Sequence, residues 1–123
     1  MEEALAPDGA RPQLLLIEDD EDVRRSFQLL LQGHGYDVRA FAAARPVITG
    51  DHSLFDVMIC DYRLPDGDGL DVLRAMRAAG WQGRAILMTG FSDPRLRAAA
   101  HECGFEAVLE KPLRARDLVA ALG

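Results

Sequence analysis

Residues 14–20 read Leu14-Leu15-Leu16-Ile17-Glu18-Asp19-Asp20, and residues 57–61 read Val57-Met58-Ile59-Cys60-Asp61. In each stretch an unbroken apolar run ends in carboxylates. A short apolar run bounded by polar residues is the signature of a strand buried on both faces, the type found in parallel sheets. Open parallel sheets bind ligands outside the carboxyl ends of their strands. If both runs lie in one sheet, their acids converge at one edge. Carboxylates crowded there repel one another unless a hard cation such as Mg²⁺ shares them. Lys111 sharpens the pattern. It is the single lysine among 14 Lys and Arg residues, and it follows another apolar run in Ala107-Val108-Leu109-Glu110-Lys111-Pro112. Acids and one ammonium at strand ends point to phosphoryl transfer.

On either side of these runs the chain alternates strand and helix signals. Strands are predicted at Gln13–Ile17, Tyr36–Phe41, Val57–Asp61, Ala85–Thr89 and Ala107–Glu110. Asp19 or Asp20 can cap a first helix over about Glu21–Gln32, whose Val23, Phe27, Leu30 and Leu31 share one face and whose end is Gly33-His34-Gly35. A short helix is expected near Pro46–Gly50, with the proline in its first turn. Leu64-Pro65-Asp66-Gly67-Asp68-Gly69 is a dense turn signal, and a helix follows from Leu70 to Gly80. Asp93-Pro94 opens a helix that Gly104 stops, and Arg114–Leu122 forms the last one. Five βα units with short connections imply a parallel sheet covered by helices on both faces.

Composition narrows the function classes. The 123 residues make one domain over 13–123 after an expected flexible leader over 1–12, with room for a core that needs no disulfide. The net charge is −6 with no Lys/Arg stripe, so direct nucleic-acid binding is not expected. No stretch is apolar enough to span a membrane, and residues 1–12 lack a signal-peptide core, so a cytoplasmic protein is the expectation. Cys60 and Cys103 have no metal-ligand spacing and are expected to be buried thiols. His34, His52 and His101 have no catalytic spacing and are expected at the surface.

Glu18-Asp19 after the first strand, Asp61 in Cys60-Asp61-Tyr62-Arg63-Leu64-Pro65-Asp66-Gly67-Asp68-Gly69, Thr89 in Leu87-Met88-Thr89-Gly90, and Lys111-Pro112 after the last strand together resemble the receiver domains of two-component response regulators. The resemblance runs from about Gln13 to Leu122. It implies a doubly wound, flavodoxin-like α/β fold, (βα)5 with strand order 2-1-3-4-5. It also implies that Asp61 is the phosphoacceptor, a carboxylate nucleophile that forms an acyl phosphate. Asp19, Glu18, Asp61 and the main-chain carbonyl of Arg63 would hold Mg²⁺. Lys111 and Thr89 would each donate to a phosphoryl oxygen, and Lys111-Pro112 would be the family's cis bond. A sensor histidine kinase or histidine phosphotransfer protein would supply the phosphoryl group, and a downstream protein partner would read the switched conformation. A stand-alone regulator is the favoured form, with a receiver cut from a larger response regulator or hybrid kinase as the alternative.

Several of these residues also suit purely structural roles. Asp20 to Asp22 suit the positive end of a helix, and Asp66 and Asp68 suit a turn. A Mg²⁺-dependent phosphohydrolase with an aspartyl-phosphate intermediate would need a second acid near Asp61 and a cap, and Arg63 stands where that acid would be. A pseudo-receiver that is never phosphorylated fits poorly with a full set of acids, Thr89 and Lys111. Three positions depart from the family pattern: Val108 replaces an aromatic switch residue, while Arg63 and Phe91 occupy the two positions that tune loss of the phosphoryl group. Phe91 is expected to limit water and Arg63 to add a charge-assisted contact, with output carried by Gly90–Gly104.

Overall fold

The computed structural model describes residues 11–123. Its elements are β1 (Gln13–Ile17), α1 (Glu21–Gly33), β2 (Asp37–Phe41), α2 (Arg45–Ile48), β3 (Val57–Asp61), β4 (Arg63–Leu64), β5 (Gly67–Asp68), α3 (Gly69–Ala78), β6 (Arg84–Thr89), α4 (Pro94–Cys103), β7 (Ala107–Glu110) and α5 (Ala115–Leu122). Five strands pair in parallel in the order β2-β1-β3-β6-β7. With the two-residue strands β4 and β5 set aside, this is the expected 2-1-3-4-5 order. Alternate residues of the central strands feed two cores. Leu15, Ile17, Met58 and Cys60 pack with Val47, Val72, Leu73, Met76 and Ala100 from α2, α3 and α4. Leu14, Leu16 and Ile59 pack on the other face with Phe27 and Leu31 of α1 and Leu118 and Leu122 of α5. Helices on both faces explain why β1 and β3 read as continuous apolar runs. Among the described residues β7 is an edge strand paired only with β6, and its residues stay half-buried or exposed. No helix among the described residues is long and apolar enough to cross a membrane.

The caps confirm most of the punctuation. Asp20, not Asp19, caps α1 by accepting from the Val23 N–H at 3.1 Å. Asp68 caps α3 through the Asp71 N–H at 2.9 Å, and Asp93 caps α4 through the Leu96 N–H at 2.8 Å. The residue after α4 is Gly104, at a φ of +113° that glycine adopts without strain. The short helix departs from expectation. It covers Arg45–Ile48 rather than Pro46–Gly50, and its cap comes from far along the chain. Asp66 accepts from the Ala44 N–H at 2.8 Å and the Arg45 N–H at 2.9 Å, which holds its carboxyl below the ordinary value. The turn around Asp66 is itself an antiparallel hairpin of β4 and β5.

Two burial expectations are corrected. His52 is only 8% exposed rather than at the surface, and it sits in a turn where the Phe55 N–H donates to its carbonyl. Cys103 is half-buried where Cys60 is fully buried, since it ends α4 at the rim of the core. The leader expected over 1–12 lies outside the described residues as far as residue 10, whereas the Pro12 carbonyl already accepts from the Asp37 N–H at 2.9 Å.

Gly69 starts α3 under the end of β3. A Cβ there would lie 2.7 Å from the Asp61 carbonyl oxygen and 2.8 Å from Leu87 Cδ1. A backbone oxygen cannot swing aside, so Gly69→Ala must push α3 away from the strand that carries Asp61. The expected loss is about 1–3 kcal/mol, read as a lower urea midpoint at unchanged slope. An unchanged midpoint would show that α3 is not seated by this contact.

Candidate functional site

Because β1, β3, β6 and β7 run parallel, their carboxyl ends meet at one edge of the sheet. Glu18 follows β1, Asp61 and Thr89 close β3 and β6, and Lys111 follows β7. Lys111 Nζ donates to Glu18 Oε1 at 2.7 Å and to Asp61 Oδ2 at 2.9 Å. Glu18 Oε2 accepts from the Asp20 N–H at 3.0 Å. One carboxylate oxygen from each of Glu18, Asp19 and Asp61 lies within 4.8 Å of the others. Glu18 is 0% and Asp61 6% exposed, whereas Asp19 faces solvent. The donor set is oxygen only, negative charge exceeds the single ammonium, and Asp19 leaves a side open. A hard divalent cation fits such a set, and Mg²⁺ needs few protein ligands because it keeps its waters.

Burial is the main reason the Glu18 carboxyl is raised above its ordinary value of 4.5. Hydrogen bonds from Lys111 and the Asp20 N–H oppose that rise, and repulsion from Asp61 is a lesser cause. The expected mutual repulsion of the acids is therefore present but secondary. Burial alone would lower Lys111, yet its bonds to Glu18 and Asp61 outweigh that and hold the ammonium above its ordinary value. A carboxyl raised on folding stabilises the protein below its unfolded value. That contribution is lost as pH rises through the folded value. In Mg²⁺-free buffer the Glu18 contribution should therefore fade as pH climbs above about 4.5. At neutral pH, Mg²⁺ at ten times its dissociation constant should add about 1.4 kcal/mol of stability. A melting temperature indifferent to Mg²⁺ would count against a metal site.

Of the residues singled out in the sequence, Glu18, Asp19, Asp61 and Lys111 come together. Thr89 reaches the same edge and is 3% exposed, but its hydroxyl is engaged locally. Thr89 Oγ1 donates to the Phe91 carbonyl at 3.0 Å and accepts from the Phe91 N–H at 3.3 Å. Arg63 sits in β4 with an exposed side chain, and Phe91 is 72% exposed. Both line a cavity of about 500 Å³ beside Thr89, together with Tyr62, Asp93 and Leu96. Val108 is half-buried on β7, and the Lys111-Pro112 bond is cis. Sequence reasoning missed Arg24, whose Nη1 donates to the carbonyls of Glu18 at 2.9 Å and Asp19 at 3.4 Å. Its only signal was a cation one turn into a helix otherwise opened by acids.

Comparison with known proteins identifies the family. The family profile described as "Response regulator receiver domain" matches residues 14–123. The C4-dicarboxylate transport transcriptional regulatory protein DctD of Rhizobium meliloti is 34% identical over 112 residues, 90% of this chain and 24% of that protein. The photosynthetic apparatus regulatory protein RegA of Rhodovulum sulfidophilum is 30% identical over 93% of this chain and 63% of its own length. The chain thus spans less than two thirds of these curated relatives. Among solved structures, the signal receiver domain of a putative Luxo repressor protein from Vibrio parahaemolyticus superposes with a TM-score of 0.84 at 27% identity, covering 91% of this chain and 87% of that one. The profile match runs through the strand ends that carry Glu18, Asp61, Thr89 and Lys111. The chain therefore belongs to the response regulator receiver domain family.

Proposed function

We propose that Asp61 accepts a phosphoryl group from the phosphohistidine of a sensor histidine kinase or histidine phosphotransfer protein, and that a downstream protein partner reads the change. The observation that carries this reading is the Asp61 carboxylate, 2.9 Å from Lys111 Nζ and within the Glu18, Asp19 and Asp61 cluster. An Asp61 oxygen attacks phosphorus, the P–N bond to the donor imidazole breaks, and that nitrogen keeps the electron pair and takes a proton. Asp19 and Asp61 would hold Mg²⁺ directly, with the Arg63 carbonyl completing the set. Glu18, whose oxygens already accept from the Asp20 N–H and from Lys111, would share in holding Mg²⁺ through a water while fixing Lys111 and the loop. Bound Mg²⁺ supplies charge neutralisation at the transferring group. Lys111 is already at the acceptor, and its compact ammonium suits a phosphoryl oxygen. Thr89 must give up its bond to the Phe91 carbonyl before its hydroxyl can donate elsewhere, which couples the phosphoryl site to the loop at Gly90–Asp93.

The net charge of −6 argues against direct nucleic-acid contact by these residues. Free thiols at Cys60 and Cys103 favour a reducing, cytoplasmic setting. We take the chain to catalyse only its own phosphorylation and dephosphorylation. A small phosphodonor should label it in a Mg²⁺-dependent, acid-stable and base-labile manner. Asp19→Asn should raise the Mg²⁺ concentration needed for half-maximal labelling by about tenfold or more, the loss of one ligand charge. Labelling of equal extent with excess chelator would contradict the metal's part in this reading.

A further inference from the structure

The two metal carboxylates on the β1–α1 loop belong to adjacent residues that must point to the same place, although one is buried and the other exposed. Something must fix the rotation of the backbone between them. The Glu18 N–H is bonded to the Phe41 carbonyl at 3.0 Å, and the Asp20 carbonyl accepts from the Arg24 N–H at 2.9 Å. Between those anchors the carbonyls of Glu18 and Asp19 have one partner among the described residues, the Arg24 guanidinium. Arg24 is itself half-buried, and both bonds come from its Nη1, at 2.9 Å to the Glu18 carbonyl and 3.4 Å to the Asp19 carbonyl. A nitrogen shared by consecutive carbonyls draws both toward α1, the Glu18 carbonyl more strongly than that of Asp19, and so biases the directions of the two side chains.

We propose that Arg24 is a positioning residue for the metal site, clamping the Glu18 and Asp19 carbonyls so that both carboxylates aim toward Asp61. This inference rests on the reading that Glu18, Asp19 and Asp61 hold Mg²⁺. Outer contacts that orient metal ligands are worth about 10–100-fold in metal affinity. The electrostatic effect of Arg24 has the opposite sign. A cation near the site repels Mg²⁺, so deleting its charge without any loss of orientation would tighten binding. The sign of the change therefore separates a positioning role from that of a bystander charge.

Isothermal titration of Mg²⁺ into the wild-type chain, Arg24→Ala and Arg24→Lys reads this directly, with melting curves in Mg²⁺-free buffer alongside. Arg24→Ala is expected to bind Mg²⁺ about tenfold more weakly. Arg24→Lys should recover part of the loss, since an ammonium can still donate to one carbonyl. Unchanged or tighter binding by Arg24→Ala overturns the proposal, even with a lowered melting temperature, because a purely structural role moves stability alone. If Arg24→Ala does not fold, Arg24→Gln decides: weaker binding supports the clamp, and wild-type or tighter affinity overturns it. A wild-type chain that binds no Mg²⁺ overturns the metal reading and the clamp together, whereas a wild-type chain that binds normally beside unaffected variants overturns the clamp alone.

Discussion

Asp61→Asn is expected to take no label from a phosphodonor while remaining folded. The amide keeps the shape of the carboxylate, and its carbonyl oxygen can still accept from Lys111 Nζ, which lies 2.9 Å from Asp61 Oδ2. It is not a nucleophile, because its nitrogen lone pair is delocalised and its oxygen carries no full charge. Labelling should fall to background. Stability in Mg²⁺-free buffer should hold or rise, since one of three clustered carboxylates has gone and Glu18 still pairs with Lys111. The stabilisation by Mg²⁺ should shrink in the same variant. Labelling of Asp61→Asn to the wild-type extent would remove Asp61 from the acceptor role.

Lys111→Met carries the largest expected effect on stability. The ammonium is the counter-ion of two buried acids, Glu18 at 2.7 Å and Asp61 at 2.9 Å. Removing one partner from a buried ion pair strands the remaining charge, which costs about 3–5 kcal/mol. Lys111 is partly open to solvent, so the lower end, about 3 kcal/mol at neutral pH without Mg²⁺, is expected. The pH dependence follows from sign. Lys111 is raised on folding, so its contribution is complete at neutral pH and is lost only as pH rises from 10.5 through the folded value. In the variant, Glu18 loses a bond that favours its charged form and rises further. Protonating it then relieves the fold, so the deficit against wild type should narrow between pH 7 and pH 5, and on adding Mg²⁺. Urea unfolding at both pH values checks this. Wild-type stability of Lys111→Met at neutral pH without Mg²⁺ would show that the ammonium does not hold these acids.

The central strands and the converging ends were legible because their apolar runs are long and end abruptly in charge. Leu14–Ile17 and Val57–Cys60 have no face left for water, and only a covered parallel sheet supplies that environment. The same logic brought Glu18, Asp61 and Lys111 to one edge. What it could not supply was the contact between Glu18 and Lys111, which are 93 positions apart and whose pairing depends on side-chain reach. α2 was misplaced because a single turn has no period, and its cap, Asp66, lies 22 residues beyond Ala44. β4 and β5 have two residues each, too few for alternation to register. His52 is buried in a turn between elements, where no periodic pattern marks burial. The engagement of the Thr89 hydroxyl with the Phe91 backbone is a matter of rotamer, and sequence carries no signal of it.

If the phosphoryl group is carried on the carboxyl of Asp61, chemical trapping identifies the modified atom. An acyl phosphate is reduced by borohydride to an alcohol, which converts the acceptor aspartate to homoserine. The chain treated with a small phosphodonor and Mg²⁺, reduced, digested and sequenced by mass spectrometry should carry homoserine at position 61. Omitting Mg²⁺ should remove it. Homoserine at Asp19 or another acid, or a phosphoryl group found instead on His34, His52 or His101, would contradict the account.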